Sequence, residues 1–197
     1  TYTHLKDFSV HDSTIKSVSD IVSNGEIAEL SPERIWSETL KALKSPNPNI
    51  YFEKIISLDL KDPYFINLNT PLCDSHNNHE VRWSELQLNN NFELGDRLPL
   101  PNGYKNISDV LKIVSVINVN IKEEDLISIL IRSNFKKNKD ILEELVTLPQ
   151  LKENKNFILR LVNEVDNTDF SFLANTPKEQ IELEKTKIYK KIIHNCK

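Results

Sequence analysis

Two histidines are the first candidates for chemistry in this sequence. His76 and His79 stand three residues apart, a spacing at which both imidazoles can reach one metal ion. A zinc ion needs three or four ligands, and two histidines alone fall short of that number. The pattern therefore predicts a solvated loop at residues 76–79 and no metal site.

Thiols and other nucleophiles are equally sparse. Cys73 and Cys196 are the two cysteines, too few for a disulfide framework and too isolated for a zinc site. We expect both to be reduced thiols in a cytoplasm. No segment has the glycine spacing that marks a nucleophilic serine at a sharp turn. The sequence thus predicts no catalytic residue.

Composition indicates the kind of chain that carries these residues. The 197 residues are 39% hydrophobic and include only three glycines, as expected for a globular and mostly helical protein. The chain has no apolar run of 18 residues and no basic-then-apolar N-terminus, which predicts a cytoplasmic protein with no membrane partner. Because no methionine occurs even at position 1, the chain is either processed or a piece of something longer.

Helix signals are strongest before residue 60. Ser31 can accept a hydrogen bond from the first free amides of a helix, and Pro32 suits the first turn. Asn47-Pro48 repeats this device, so two helices joined by a Pro-Asn-Pro corner are predicted. An earlier helix is predicted from Ser13 to Ser23, ending at Gly25. The predicted inward residues of the three helices are Ile15, Val18, Ile21 and Val22; Ile35, Thr39, Ala42 and Leu43; and Tyr51, Ile55 and Leu58.

The helical period is lost and then returns. Residues 63–106 are rich in turn chemistry, and only Val81–Leu88 suggests a short helix there. From Ile107 onward, apolar stripes and a last helix opened by Thr176-Pro177 predict five helices joined by short links. The stripes are Ile107, Val110, Leu111, Val114 and Ile117; Leu126, Ile127, Leu130 and Ile131; Ile141, Leu142, Leu145 and Val146; Phe157, Leu161, Val162 and Val165; and Ile181, Ile188 and Ile192.

These patterns predict an all-α protein of three parts. A helical domain is expected at residues 1–62, an irregular linker region at 63–106, and a compact α-bundle or α-superhelix at 107–197. The absence of paired alternating segments argues against a sheet of any size.

One segment resembles a known family. The run Ser31-Pro32-Glu33-Arg34-Ile35-Trp36-Ser37-Glu38-Thr39, with Lys41-Ala42-Leu43 and Ser45–Phe52, is similar to the neck of class II CCA-adding enzymes, the tRNA nucleotidyltransferases, of the proteobacterial type. Residues Tyr2–Ile15 are similar to the preceding neck helix, and Gln180–Lys197 resembles the basic last helix of that family. The resemblance implies a helical neck followed by a body and a tail that grip tRNA.

The family's catalytic head has no counterpart in this sequence. The glycine-rich turn that holds the triphosphate and the Asp-x-Asp pair that holds two metal ions are both absent. The family's Glu-Asp-x-x-Arg motif is also incomplete, because Ser128 occupies the position of its arginine after Glu124-Asp125. The resemblance therefore implies no cofactor in this chain, and Mg²⁺ with CTP and ATP only where a head lies elsewhere.

Some proteobacterial members also carry a metal-dependent phosphohydrolase module marked by a His-Asp pair. His11-Asp12 is the only such dipeptide here, and it lies in the neck-like segment. Asp12 or Ser13 at that place is a better helix cap than a metal ligand. The module is therefore predicted to be absent or eroded.

The resemblance assigns a structural motif to Glu33, Arg34, Trp36 and Glu38. In the family, the equivalent charged residues tie the neck helices together beneath the nucleotide pocket. One hypothesis is that the five-donor fork of Arg34 pairs with a carboxylate and fixes the neck against the head or the tRNA end. The alternative is a solvated arginine beside a first-turn glutamate.

Lysines near the C-terminus are the best candidates for RNA contact. From Leu183 to the end of the chain Glu184 is the only acidic residue, so the lysines form a basic cluster. Such a cluster can neutralise phosphates without reading sequence. A solvated helix end explains them as well, and the net charge of −4 opposes a strong general affinity for nucleic acid. The predicted RNA-contacting residues are Lys185, Lys187, Lys190 and Lys191, with Lys136 and Lys137 as a smaller second patch.

Three functions remain open from the sequence. The first is to hold tRNA by its acceptor stem and elbow while a head elsewhere adds the 3′-CCA end. The second is a stand-alone adaptor, with a mobile element as one source, whose exposed apolar residues around Trp36, Trp83 and Tyr104 bind a protein partner. The third is a small protein that protects or sequesters tRNA.

Overall fold

The computed structural model describes residues 10–197, which form an all-α structure as predicted. The described residues contain nine α-helices and three short 3-10 turns, and no strand. The helices are α1 (Asp12–Ser23), α2 (Pro32–Leu43), α3 (Asn49–Ser57), α4 (His79–Asn89), α5 (Asn102–Val114), α6 (Glu123–Arg132), α7 (Lys139–Leu145), α8 (Lys155–Asn167) and α9 (Lys178–Cys196); the 3-10 turns are Glu26–Glu29, Pro149–Leu151 and Ser171–Asn175. Residues 1–9, part of the segment similar to the first neck helix, lie outside this description.

None of the helices within residues 10–197 combines the length and the apolar character needed to cross a bilayer.

The chain divides into two compact units. The first unit comprises residues 1–108 and the second comprises residues 109–197, so that α5 crosses the division. Residues 63–106 belong to the first unit together with α2 and α3. The division of the chain at residues 62 and 106 stays a prediction.

Helix α4 is the centre of the first unit. It packs against α2, and its seven consecutive residues Val81–Gln87 are all buried. The ring of Trp83 meets Trp36 edge-on at 5.4 Å between centroids, and Trp36 meets Tyr104 in the same way at 4.9 Å. Edge-to-face aromatic contacts of this kind add to the free energy gained by burying the rings. The core therefore forms around a segment whose helix is only weakly signalled in the sequence.

This core corrects the hypothesis of aromatic docking anchors. Trp36, Trp83 and Tyr104 are only 7%, 0% and 4% exposed. Large aromatic rings gain more free energy by leaving water than any other side chains of the unit, so they pack against one another. They offer no surface to a protein partner.

Side-chain amides order the segment between α3 and α4. Residues 58–78 contain no helix, so their backbone groups need hydrogen-bond partners from elsewhere. The amide of Asn90 accepts from the N–H groups of Asn69 and Thr70 and donates to the carbonyl of Thr70. Asn49 accepts from the N–H of Cys73 at 2.9 Å. The segment is irregular in shape but fixed by these bonds.

Helix α1 differs from its predicted packing. Ile15 and Ile21, predicted to point inward, are 37% and 39% exposed, and no side chain of α1 is buried. The helix contacts the adjacent 3-10 turn at Glu26–Glu29. Its N-cap is His11, whose Nδ1 accepts from the N–H of Ser13 at 3.2 Å, in place of the predicted Asp12 or Ser13.

The second unit is built from α6 to α9 and the end of α5. Helix α9 packs against α6 and α8, and α7 packs against α8. The four stripes predicted between residues 107 and 165 are confirmed, since all of their residues are buried except the half-buried Ile131 and Ile141.

The stripe predicted for the last helix is correct only in part. Helix α9 buries Tyr189, Ile192, Ile193 and Cys196, which follow the i, i+3, i+4, i+7 spacing of one helix face. Ile181 and Ile188 lie at the edge of that face and are half-buried. The buried face is therefore centred on Tyr189, which apolar periodicity alone did not include.

Candidate nucleic-acid interface

The neck-like motif folds as two helices joined at the proline corner. The hydroxyl of Ser31 accepts from the N–H of Arg34 at 3.3 Å, and Pro32 occupies the first turn of α2, as predicted. The hydroxyls of Thr39 and Tyr51 lie 3.2 Å apart and join α2 to α3. Local capping thus starts α2, and a partly buried polar contact holds the corner.

The buried face of the corner differs slightly from the prediction. Helix α2 buries Trp36, Thr39, Ala42 and Leu43, whereas the predicted Ile35 is half-buried. Helix α3 buries Phe52 and Ile55, whereas Tyr51 and Leu58 are half-buried.

Arg82 of α4 holds the end of α2. Its Nη1 donates to the carbonyls of Leu43 and Ser45, both at 2.7 Å, and its Nε donates to the carbonyl of His76. Carbonyls at the end of a helix have no partner within it, so the guanidinium acts as a cap for α2. The side chain is buried, at 6% exposure. The sequence signal for Arg82 is weak: a single arginine between Val81 and Trp83.

The outer face of α2 carries Arg34, Glu38 and Lys41. Lys41 donates to Glu38 at 2.7 Å, and this bond lowers the pKa of the Glu38 carboxyl. Arg34 is exposed and makes no ion pair within residues 10–197. Glu33, in the first turn, is exposed as well. The arginine fork that ties the neck together in this structure is therefore that of Arg82, and Arg34 presents its charge to solvent.

Two of the predicted lysines share the solvent face of α9. Lys187 and Lys191 are exposed, one turn apart, on the side opposite the buried residues of the helix. Lys187 also bonds to Glu184 at 2.7 Å. Lys190 is turned toward α6, where its Nζ lies 3.7 Å from Glu123, and Lys185 is half-buried.

The second lysine patch is divided between two roles. Lys136 donates to the carbonyl of Thr168 at 2.9 Å, and its Nζ lies 5.7 Å from the centre of the Phe170 ring. Its ammonium group thus stabilises the segment after α8. Lys137 is exposed.

The histidine pair has a structural environment instead of the solvated loop that was predicted. His79 is the first residue of α4, and its Nδ1 lies 2.7 Å from the hydroxyl of Tyr104, whose ring it stacks against. Burial, and then the nearby charge of Lys44, lower the pKa of His79. His76 accepts from the N–H of Asn78 at 3.0 Å. Within residues 10–197 no three potential ligands are grouped for a metal ion.

The neck-like segment matches a family of probable RNA-binding sites. Residues 7–69 match the family model described as "Probable RNA and SrmB- binding site of polymerase A". The match includes α1, α2 and α3 and ends before α4.

Curated relatives that share this segment are CCA-adding proteins. The Multifunctional CCA protein of Mannheimia succiniciproducens is 44% identical over 55 residues, which is 28% of this chain and 13% of that protein. The CCA-adding enzyme of Hamiltonella defensa is 48% identical over 52 residues, which is 26% of this chain and 13% of that enzyme. The chain thus spans only 13% of the length of these two relatives. No solved structure matches the chain significantly.

These matches confirm the resemblance on which the sequence interpretation depends. The chain contains the RNA-binding neck domain of a CCA-adding polymerase at residues 7–69, with homology to CCA-adding enzymes over about 55 residues.

Proposed function

We propose that this chain binds tRNA and holds it for addition or repair of the 3′-CCA end by a catalytic head that is not part of the chain. The observation that carries the proposal is the neck segment, which is 44% and 48% identical to proteins named for CCA addition. The segment also folds with its polar contacts in place: the N-cap of α2, the bond between α2 and α3, and the Arg82 bonds at the end of α2. An intact fold of the neck supports the proposal.

The neck is acidic, which favours contact by shape over general phosphate binding. Residues 7–69 contain six lysines and arginines against ten aspartates and glutamates. Most of this surface would repel a phosphate backbone. The exposed cations of α2 and its C-cap are Arg34, Lys41 and Lys44, and they are the neck residues most suited to a tRNA phosphate.

The second unit supplies the positive surface. Lys187 and Lys191 project from α9 on its open face, where two phosphates of an RNA stem could approach without desolvating a buried group. Lys137 is similarly exposed. Lys185, Lys136 and Lys190 are expected to contribute less, because Lys185 is half-buried, Lys136 bonds to a backbone carbonyl and Lys190 is turned toward α6. Lys187 also bonds to an acid, Glu184, but it does so on the open face of α9.

A gel-shift titration with tRNA at two salt concentrations tests the proposal. We expect a complex that weakens steeply with salt, because phosphate contacts release counterions. Lys187→Glu with Lys191→Glu should weaken binding and reduce the salt slope by about 2, roughly 1 for each lost contact. The control, Lys105→Glu with Lys152→Glu, makes the same charge change at two other exposed lysines. Equal losses in both variants would contradict a local site, and no complex at low salt would refute tRNA binding.

Catalysis is assigned to the missing head. Two-metal nucleotide transfer needs grouped carboxylates, and the residues described here do not fit such a centre. Incubating the chain with tRNA lacking CCA, CTP, ATP and Mg²⁺ should therefore give no extension. Any extension would demonstrate an active site within this chain.

A further inference from the structure

A cleft of about 500 Å³ lies between α6 and α9 in the second unit. Its lining includes the small side chains of Ser128 on α6 and Thr186 on α9. Ile127 and Ile131 give it an apolar floor, and Ile131 is only half-buried. Leu183, which follows the lining residue Glu182 on α9, is 56% exposed. An exposed leucine beside an apolar cleft is the feature that needs an explanation.

Two contacts show that α6 and α9 run antiparallel. Lys190 lies 3.7 Å from Glu123, and Lys197 donates to the carbonyl of Ile121 at 3.2 Å. The beginning of α6 therefore lies beside the end of α9.

Both helices carry acids toward their N-termini and bases toward their C-termini, as the helix dipole favours. One end of the cleft is accordingly lined by Glu124 and Lys190, and the other by Arg132 and Glu182.

This charge pattern is complementary to a second copy of itself. A two-fold axis parallel to the helices places α6 of one copy on α9 of the other and keeps the ends of the cleft in register. Glu124 then faces the partner's Lys190, and Arg132 faces the partner's Glu182. The same axis brings Leu183 onto the partner's Ile131, so that the exposed leucine of each copy fills the cleft of the other.

We propose that the α6–α9 cleft is the contact surface of a symmetric dimer of this chain. The arrangement is a four-helix bundle in which every neighbouring pair of helices is antiparallel, a geometry that also pairs opposite helix dipoles. Lys191 is turned away from the cleft, whereas Lys187, one turn from both Leu183 and Lys190, borders the contact.

Sedimentation velocity of the whole chain over a wide concentration range tests the dimer. We expect a reversible dimer for the wild-type chain. Glu124→Lys alone and Lys190→Glu alone should each raise the dissociation constant about tenfold or more. Each substitution places two like charges opposite one another across the two-fold axis. A wild-type chain that stays monomeric at every concentration would overturn the proposal.

Mixing the two single variants separates an interface effect from a folding effect. Glu124→Lys and Lys190→Glu chains should combine into a heterodimer, since every cross-chain pair is then opposite in charge, and the double variant should dimerise by itself. Failure of the mixture to associate would contradict this geometry. Association of Glu124→Lys with Arg132→Glu instead would place the axis across the helices and would also contradict it.

Leu183→Asp supplies a second and independent readout. It should abolish the dimer, because the charge would enter the partner's apolar cleft. The matched control is Val119→Asp, at a side chain that is 50% exposed in the same unit, which should dimerise normally. Dimerisation of Leu183→Asp at wild-type strength would show that the leucine does not fill the cleft.

Discussion

Arg82 shows how a protein interior can accommodate a guanidinium. Moving a cation out of water costs much free energy unless hydrogen bonds replace its hydration. Arg82 gains three carbonyl acceptors, on Leu43, Ser45 and His76. These bonds satisfy the carbonyl of Leu43, the last residue of α2, and two loop carbonyls, so donor and acceptors offset each other's cost of burial.

Arg82→Met is expected to destabilise the first unit by about 2 to 5 kcal/mol, because buried carbonyls lose their donor while the packing volume is nearly kept. Chemical denaturation measures the free energy of unfolding. The control Arg97→Met, at an exposed arginine of the same unit, should stay within about 0.5 kcal/mol of wild type. Equal stability of the two variants would show that the guanidinium bonds give no net stabilisation.

His79 makes the stability of the first unit depend on pH. Burial lowers its folded pKa from the ordinary value of 6.5, so the unfolded chain binds this proton more readily. The contribution of His79 is complete above the unfolded pKa and is lost as the pH falls below about 6.5 toward the folded value. In His79→Gln the free energy of unfolding should therefore decrease less as the pH falls through this window, as measured by chemical denaturation at a series of pH values. An unchanged slope for His79→Gln would contradict this assignment.

Helix α4 illustrates at the scale of the element why apolar periodicity has limits. Seven of its residues in a row are buried, and several of them are polar. Ser84 donates to the carbonyl of Glu80, Glu85 accepts from the backbone and hydroxyl of Ser75, and Gln87 exchanges two bonds with the backbone of Leu94. A periodic pattern appears only when one helix face meets solvent, and α4 has no such face.

Helix α1 is the opposite case, and its exposure gives a prediction. Ile15→Ser with Ile21→Ser should cost about 1 kcal/mol or less, because both side chains are more than a third exposed. Ile55→Ser in α3, at 5% exposure, should cost about 2 to 5 kcal/mol by the same denaturation measurement. A large loss in the double variant would mean that the face of α1 is packed in solution.

At the scale of the whole molecule, charge is divided between the units. The first unit has ten lysines and arginines against fifteen acids, for a net charge of −5, and the second has fifteen against fourteen, for +1. The unit that contains the RNA-binding match is thus the more acidic one. This division is the physical reason for assigning phosphate contact mainly to α9.

Each unit also contains one thiol that reports its integrity. Cys73 and Cys196 are 0% and 1% exposed, and burial raises the pKa of both thiols. We expect neither to react quickly with a disulfide reagent until its own unit unfolds, because the reactive thiolate is scarce and inaccessible. In Cys73→Ser only Cys196 can be labelled, and in Cys196→Ser only Cys73. Labelling of the two variants across a denaturant series therefore measures the unfolding of each unit separately. Fast labelling of either thiol in native buffer would contradict the buried cores.

The sequence by itself determined the features that depend on neighbours along the chain. Ser31 and Pro32 start α2 because a cap acts across three residues, and the stripes between residues 107 and 165 report one-sided burial through their period. The neck resemblance was likewise visible in one continuous segment, residues 31–52. These signals were sufficient for the all-α class and for locating the segment that matches the family of probable RNA-binding sites.

Only the tertiary structure decided which groups meet across long separations. Arg82 finds its acceptors 37 and 39 positions away, and the aromatic core and the α6–α9 cleft also join distant segments. Such contacts depend on how the elements pack, and burial of a polar or aromatic group is favourable only when its partner arrives. Single residues carry no local mark of that partner, so Arg82, the exposed face of α1 and the buried Trp36 could not be assigned from the sequence.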